Sequence, residues 1–221
     1  MFYGELEYWE KRYASIGSNE VFDWYLPYAT KDSSGCVVVG LGLRSELLAA
    51  VGVPDNRKVL VVGCGLSLLG EGLASDGFAD VTCVDFSLAA IEHMRARSGE
   101  PPRPSYQVAD CSKLTEVFQL SSFDVVVDKG MLDATMCGKD SEVQYDKLMK
   151  VTDEIYSVLR PKGLFIHITT TARVDGQKSA LFRNPAIPWS EITAVRLEPE
   201  IPSNDCAEFL RRPYWLFRLV K

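Results

Sequence analysis

From Lys58 onward, short apolar runs alternate with amphipathic stretches. Val59–Val62 is continuously apolar and reads as a buried strand; Ser67–Ser75 reads as a helix. Val81–Asp85, Tyr106–Ala109, Phe123–Asp128 and Leu164–Thr169 repeat the strand pattern, while Leu88–Arg97 and Gln144–Leu159 repeat the helical one. The punctuation "SGEPPRPS" and "RPKG" marks loops. Apolar strands that alternate with helices predict a parallel sheet covered on both faces, an α/β fold. After Thr170 the pattern changes. Ile192–Leu197 and Tyr214–Val220 read as strands with no long helix between them, so an antiparallel C-terminal pair is expected.

The region before Lys58 is aromatic. Glu5–Tyr13 reads as a short helix bearing Tyr8, Trp9 and Tyr13, and Asn19–Tyr28 is a second aromatic cluster ended by Pro27. Thr30–Arg44 starts polar and turns into a Val/Gly run with no clear assignment; Ser45–Val51 reads as a short helix. No repeat or linker divides the chain. A single domain is expected over 1–221, with an aromatic helical lid over 1–57, a core over 58–169 and a strand pair on the substrate side over 170–221.

A length of 221 residues suits one α/β domain. The net charge of −6 argues against an electrostatic nucleic-acid binder. It suits a basic, lysine-bearing partner, though a mildly acidic surface also serves solubility. The six cysteines form no CxxC pair and no Cys/His cluster with zinc spacing, so no metal is expected. Free cysteines in apolar runs point to a reducing compartment. No signal-peptide core opens the chain, and no run reaches the roughly 18–20 apolar residues of a membrane helix. A cytoplasmic location without membrane contact is expected.

The first strand runs into two glycines, Gly63 and Gly65. Glycines there permit backbone angles closed to other residues and let a ligand touch the main chain. The helix that follows offers free N–H groups. A tight turn with no ligand would use the same pattern. The next strand, "VTCVDFS", ends in Asp85, twenty positions beyond Gly65, where a carboxylate can accept both ribose hydroxyls of an adenosine. The third, "YQVADCS", puts Asp110 within reach of an adenine amino group and Cys111 beside the ring. Either acid alone also reads as a cap. Three successive strand ends with ligand-compatible residues point to one nucleoside site.

A nicotinamide dinucleotide and S-adenosylmethionine both contain an adenosine. The third glycine of the dinucleotide fingerprint is replaced by Leu68. No Ser/Tyr-x-x-x-Lys dyad for hydride chemistry follows. The terminal antiparallel pair also favours S-adenosylmethionine.

The fourth strand reads "FDVVVDKGMLDAT". With "YWEKRY", "FDWY" and "VLVVGCGLS", it resembles the class I methyltransferases that act on elongation factor 1-alpha at lysine or the N-terminus. The likeness runs from about Glu5 to Thr169. It implies a Rossmann-like, seven-stranded sheet, mostly parallel with an antiparallel C-terminal strand. It implies S-adenosylmethionine as donor, S-adenosylhomocysteine as product, and a protein lysine or free amine as acceptor. It places cofactor contacts at Trp9, Tyr13, Trp24, Gly63, Gly65, Asp85, Phe86, Asp110, Cys111 and Lys129. Where the group usually has Asn and Thr, this chain has Leu66 and Met131, and Thr30–Arg44 is longer than expected.

Within that resemblance, Asp128, Lys129 and Asp133 are the candidate catalytic residues. Asp128 is expected to orient the donor or the incoming amine. Lys129 is expected to reach the donor carboxylate or nearby backbone, and Asp133 to lean toward a cationic acceptor. Aromatic faces attract a sulfonium by roughly 0.5–2 kcal/mol, a role open to Tyr8, Trp9, Tyr13, Trp24 and Tyr25. They equally suit a buried helix face. His93 and His167 read as structural, and no general base stands out. A small-molecule methyltransferase and a donor-binding scaffold remain as alternatives. An amino methylase of nucleic-acid bases would need an Asn/Asp-Pro-Pro-aromatic motif where "DKGM" stands.

Overall fold

The structure is a computed structural model that describes residues 3–17, 20–31, 37–38, 42–54, 56–97, 99, 101–138, 140–170, 184, 187–197 and 214–221. Its main sheet contains seven strands: β1 (Lys58–Val62), β2 (Asp80–Asp85), β3 (Ser105–Val108), β4 (Phe123–Lys129), β5 (Leu159–Thr169), β6 (Glu191–Leu197) and β7 (Tyr214–Val220). Their order across the sheet is β3-β2-β1-β4-β5-β7-β6. Neighbours among the first five strands run parallel, and β7 pairs antiparallel with both β5 and β6. The expected fold class, including its antiparallel end, is therefore present.

Alternation along the strands explains the continuous apolar runs. Val59 and Val61 of β1 enter one core, while Leu60 and Val62 enter the other. Val125 and Val127 of β4 pair with the first core and Val126 with the second. The first core is closed by α1 (Leu6–Ala14), α2 (Arg44–Val51), α3 (Leu69–Ser75) and α4 (Leu88–Arg97). The second is closed by α5 (Met131–Thr135) and α6 (Ser141–Val158). The central strands β1 and β4 are thus buried on both faces, as parallel strands usually are, whereas the edge strand β6 is exposed up to Leu197.

Element boundaries differ from the sequence expectation where side chains cap or kink the backbone. Helix α6 starts earlier than Gln144, because Asp140 accepts from the backbone N–H groups of Glu142 and Val143. Helix α3 starts later than Ser67, whose hydroxyl accepts from the Leu69 N–H. The expected "RPKG" turn lies inside β5: Leu159 already pairs with Phe123, the register shifts before Val125, and Lys162 takes φ +65°. Within Thr30–Arg44, Thr30–Lys31 pairs antiparallel with Val37–Val38 and α2 begins at Arg44. Residues 32–36 and 39–41 of that stretch lie outside the described residues.

Candidate active site

Strand order reverses direction between β1 and β4, which places a crevice at their carboxyl ends. The chain leaves β1 through Gly63 at φ +58° and Gly65 at φ +49°. Both angles lie in the left-handed region that side chains rarely adopt. Space agrees with the angles. A Cβ at Gly65 would stand 2.6 Å from the Tyr13 hydroxyl oxygen, and one at Gly63 would stand 2.3 Å from Met131 Cγ. The loop is held open by Asp85 at the end of β2. Its carboxylate accepts from the Gly65 N–H at 2.8 Å and from the Ser87 N–H at 2.9 Å. Burial pushes the Asp85 carboxyl up to about 6 against the opposing pull of those N–H groups. Each oxygen keeps lone-pair capacity for a further donor.

Aromatic rings roof the crevice. Trp9 and Tyr13 stack with centroids 5.2 Å apart, and Trp24 meets Trp9 edge-on at 6.2 Å. Trp9 donates its indole N–H to the Tyr3 carbonyl at 2.7 Å. The roof is tied to the sheet by Lys129. Its buried ammonium donates to Asp23 at 2.5 Å, to the Trp24 carbonyl at 2.9 Å and to the Leu26 carbonyl at 3.3 Å. Burial lowers the Lys129 pKa, with Asp23 pulling the other way.

Together these elements bound a single crevice. Trp9, Tyr13, Trp24, Gly63, Gly65, Asp85, Phe86, Asp110, Cys111 and Lys129 all line it, so the structure gathers every residue expected at a cofactor. Asp110 is exposed and accepts from the Ser112 N–H at 2.9 Å, opening the short 3-10 helix Cys111–Glu116. Burial pushes the Cys111 thiol up, so it stays protonated.

The expected catalytic residues separate. Lys129 lines the crevice. Asp128 lies behind it, fully buried, where it accepts from the Met131 and Leu132 N–H groups at 2.9 and 3.3 Å and pairs with His167 Nδ1 at 2.6 Å. Its contact with the crevice lining thus runs through Met131, at the start of α5. Asp133 is half-buried on the side of α5 away from the crevice lining, where it accepts from the Tyr25 and Thr169 hydroxyls. His93 hydrogen-bonds the Glu20 carbonyl at 2.8 Å, away from this corner.

Asp23 and Thr169 are not singled out by the sequence, His167 reads there as structural, and Tyr25 is expected only as a lid aromatic, whereas its hydroxyl donates to Asp133. Asp23 is the acid inside the "FDWY" motif, so a sole carboxylate among aromatics was its only visible signal. Its partner lies 106 positions away, beyond any local pattern. Among the described residues no helix is long and apolar enough to cross a membrane, and no group of three or more His, Cys, Asp or Glu could hold a metal ion.

Residues 60–167 match the family model of the methyltransferase domain. Over 175 residues the chain is 33% identical to EEF1A lysine methyltransferase 4 of Bos taurus, covering 77% of this chain and 62% of that protein. Over 168 residues it is 31% identical to the eEF1A lysine and N-terminal methyltransferase of Mus musculus, covering 76% of this chain and 22% of that protein. The chain thus spans less than two thirds of both relatives. Among solved structures, the 1,6-didemethyltoxoflavin-N1-methyltransferase of Burkholderia thailandensis, with bound S-adenosylhomocysteine, superposes with a TM-score of 0.56. That match has 17% identity and covers 80% of this chain and 75% of the other, a likeness of fold.

Proposed function

We propose that this chain is a class I methyltransferase and that it transfers a methyl group from S-adenosylmethionine to a protein amine, a lysine side chain. Elongation factor 1-alpha is the first acceptor to test, because the relatives are named for it. A cytoplasmic site of action follows from that acceptor. In this reading 1–57 supplies the roof, 58–169 the donor floor and 170–221 the acceptor side.

One observation carries the reading. Bare main chain at Gly63–Gly65, the buried acceptor Asp85 and the Trp9–Tyr13–Trp24 roof converge on one crevice at the strand ends. The residues fit an adenosyl sulfonium. Asp85 would take the ribose hydroxyls, the glycine main chain would lie along the methionyl portion, and the rings would face the positive sulfur. Bound S-adenosylmethionine supplies an electrophilic methyl group and leaves as S-adenosylhomocysteine. The chain contributes position: Lys129 and Asp23 fix the roof, and Asp128 fixes the start of α5. Holding reacting atoms in line accounts for much of the acceleration of such displacements. Desolvation of the acceptor amine favours the neutral form that attacks.

The test is incubation with methyl-labelled donor, first with purified elongation factor 1-alpha, then with cell extract split into protein and small-molecule fractions. Label on a lysine of a protein is the expected result. Label confined to small molecules would overturn the acceptor class, and absence of donor binding by calorimetry would overturn the donor.

A further inference from the structure

We propose that Asp133, walled by Tyr25 and Thr169, is a binding site for a primary alkylammonium group, a lysine side chain of the acceptor protein that lies beside the one methylated. The assignment rests on the donor crevice described above.

Among the described residues, the charges of this corner are paired except one. Lys129 is matched by Asp23 and Asp128 by His167. The Asp133 carboxylate accepts only from neutral groups, the Tyr25 hydroxyl and the Thr169 hydroxyl, the latter at 2.9 and 2.7 Å to its two oxygens. Among the described residues no Lys, Arg or His side chain lies in ion-pair range of it. A half-buried carboxylate whose partners are neutral donors has unused lone pairs and no counter-charge among the described residues. That is the complement of an ammonium.

The location also fits. Helix α5 turns Met131 and Ala134 toward the donor crevice and Asp133 toward the ends of β5 and β7. Tyr25 stands between the two. Its ring covers Gly130, where a Cβ would come within 3.0 Å of Tyr25 Cε2. On its other side Tyr25 meets Tyr214, the first residue of β7, with centroids 5.3 Å apart. The Tyr25 phenol thus stands against Asp133, backed by the buried Tyr214 ring, and an aromatic wall suits both an alkyl stem and its cationic tip.

Tyr25 itself is held under strain. It takes φ +64°, an outlier for a bulky residue. The carbonyls on either side, of Trp24 and Leu26, are both bound by Lys129. The donor roof and the Tyr25 wall are therefore fixed by one side chain. Strained backbone over-determined in this way is concentrated at ligand sites.

The experiment is a nuclear magnetic resonance titration of the full chain with n-butylammonium chloride and, separately, with n-butanol, its neutral counterpart. Each runs with and without S-adenosylhomocysteine. The Tyr25 and Tyr214 ring resonances should shift with n-butylammonium at concentrations at least about tenfold lower than with n-butanol, as a charge–charge contact in a partly desolvated site predicts. Asp133→Asn should bring the two probes within about twofold of each other, while S-adenosylhomocysteine affinity stays as in the parent. Tyr25→Phe should keep the preference for the cation. Equal response of the parent protein to both probes would overturn the site. If Asp133→Asn fails to fold, the comparison on the parent protein decides alone. Failure of S-adenosylhomocysteine to bind by calorimetry would instead strike the donor reading, whichever way the two probes compare.

Discussion

The ammonium of Lys129 and the hydroxyl of Ser67 converge on one oxygen of Asp23, each at 2.5 Å. That oxygen joins the end of β4, the loop entering α3 and the aromatic roof. The Lys129 and Asp23 side chains are 4% and 13% exposed, so the pair is largely shielded from water.

Asp23→Asn should therefore cost more than a surface pair would. Leaving a buried charge without its partner typically costs about 3–5 kcal/mol. For a chain of this size that lowers the thermal midpoint by roughly 10 °C. Donor affinity should fall in parallel as the roof loosens. The double variant Asp23→Asn, Lys129→Met should recover part of the midpoint, because the stranded charge is gone. Thermal unfolding of Asp23→Asn, Lys129→Met and the double variant tests this, and strict additivity would refute the coupling.

Gly65→Ala should fail for two separable reasons. The left-handed angle costs a side chain about 1–2 kcal/mol. The new methyl also meets the Tyr13 hydroxyl. Adding Tyr13→Phe removes the second cause but not the first. Calorimetric titration with S-adenosylmethionine should show a loss of at least about tenfold for the single variant, with partial recovery in the double variant.

Asp85 predicts how donor binding depends on pH. Its carboxyl is raised to about 6 by burial, and only the ionised form accepts two hydroxyls. Affinity should be level above pH 7 and about tenfold weaker at pH 5, where about a tenth of the group is ionised. Asp85→Asn should bind weakly at every pH. Stability moves the other way. Because the folded pKa lies above the unfolded one, the native state holds the extra proton, and stability declines as pH rises from about 4 to about 6.

His167 acts in a higher window. Burial disfavours its charge, but the Asp128 carboxylate at 2.6 Å outweighs burial and raises its pKa. The stability it contributes is fully present below the unfolded value of about 6.5 and is lost as pH rises through the folded value. The thermal midpoint should therefore fall as pH rises above about 6.5. His167→Phe should flatten that slope and lower the midpoint by the equivalent of about 3 kcal/mol at neutral pH, since Asp128 loses its partner. Scanning calorimetry across pH tests both.

Much of the fold was legible because parallel strands buried on both faces read as unbroken apolar runs. Val59–Val62, Phe123–Asp128 and the final strand pair all appear close to their expected limits. The floor of the crevice was legible for a related reason, since its contacts follow directly from strand ends: Gly63, Asp85 and Asp110 each close a strand. The corner around Lys129 was not. Its partners, Asp23 and the Trp24 and Leu26 carbonyls, come from a segment with no regular secondary structure more than a hundred positions away. Asp128 looked like a site residue because it sits at the end of β4, but strand alternation turns it inward to His167, its Cα partner on β5.

The place of β7 between β5 and β6 sets an order of events during synthesis. The ribosome delivers Glu191–Leu197 before Tyr214–Val220, yet the earlier segment touches the sheet only through the later one. Until Tyr214 emerges, β6 has no partner and β5 ends in an open edge. Tyr25, made near the beginning, gains its neighbour Tyr214 in that same late step. A nascent chain halted short of this point would own a finished nucleoside floor beside a half-built wall.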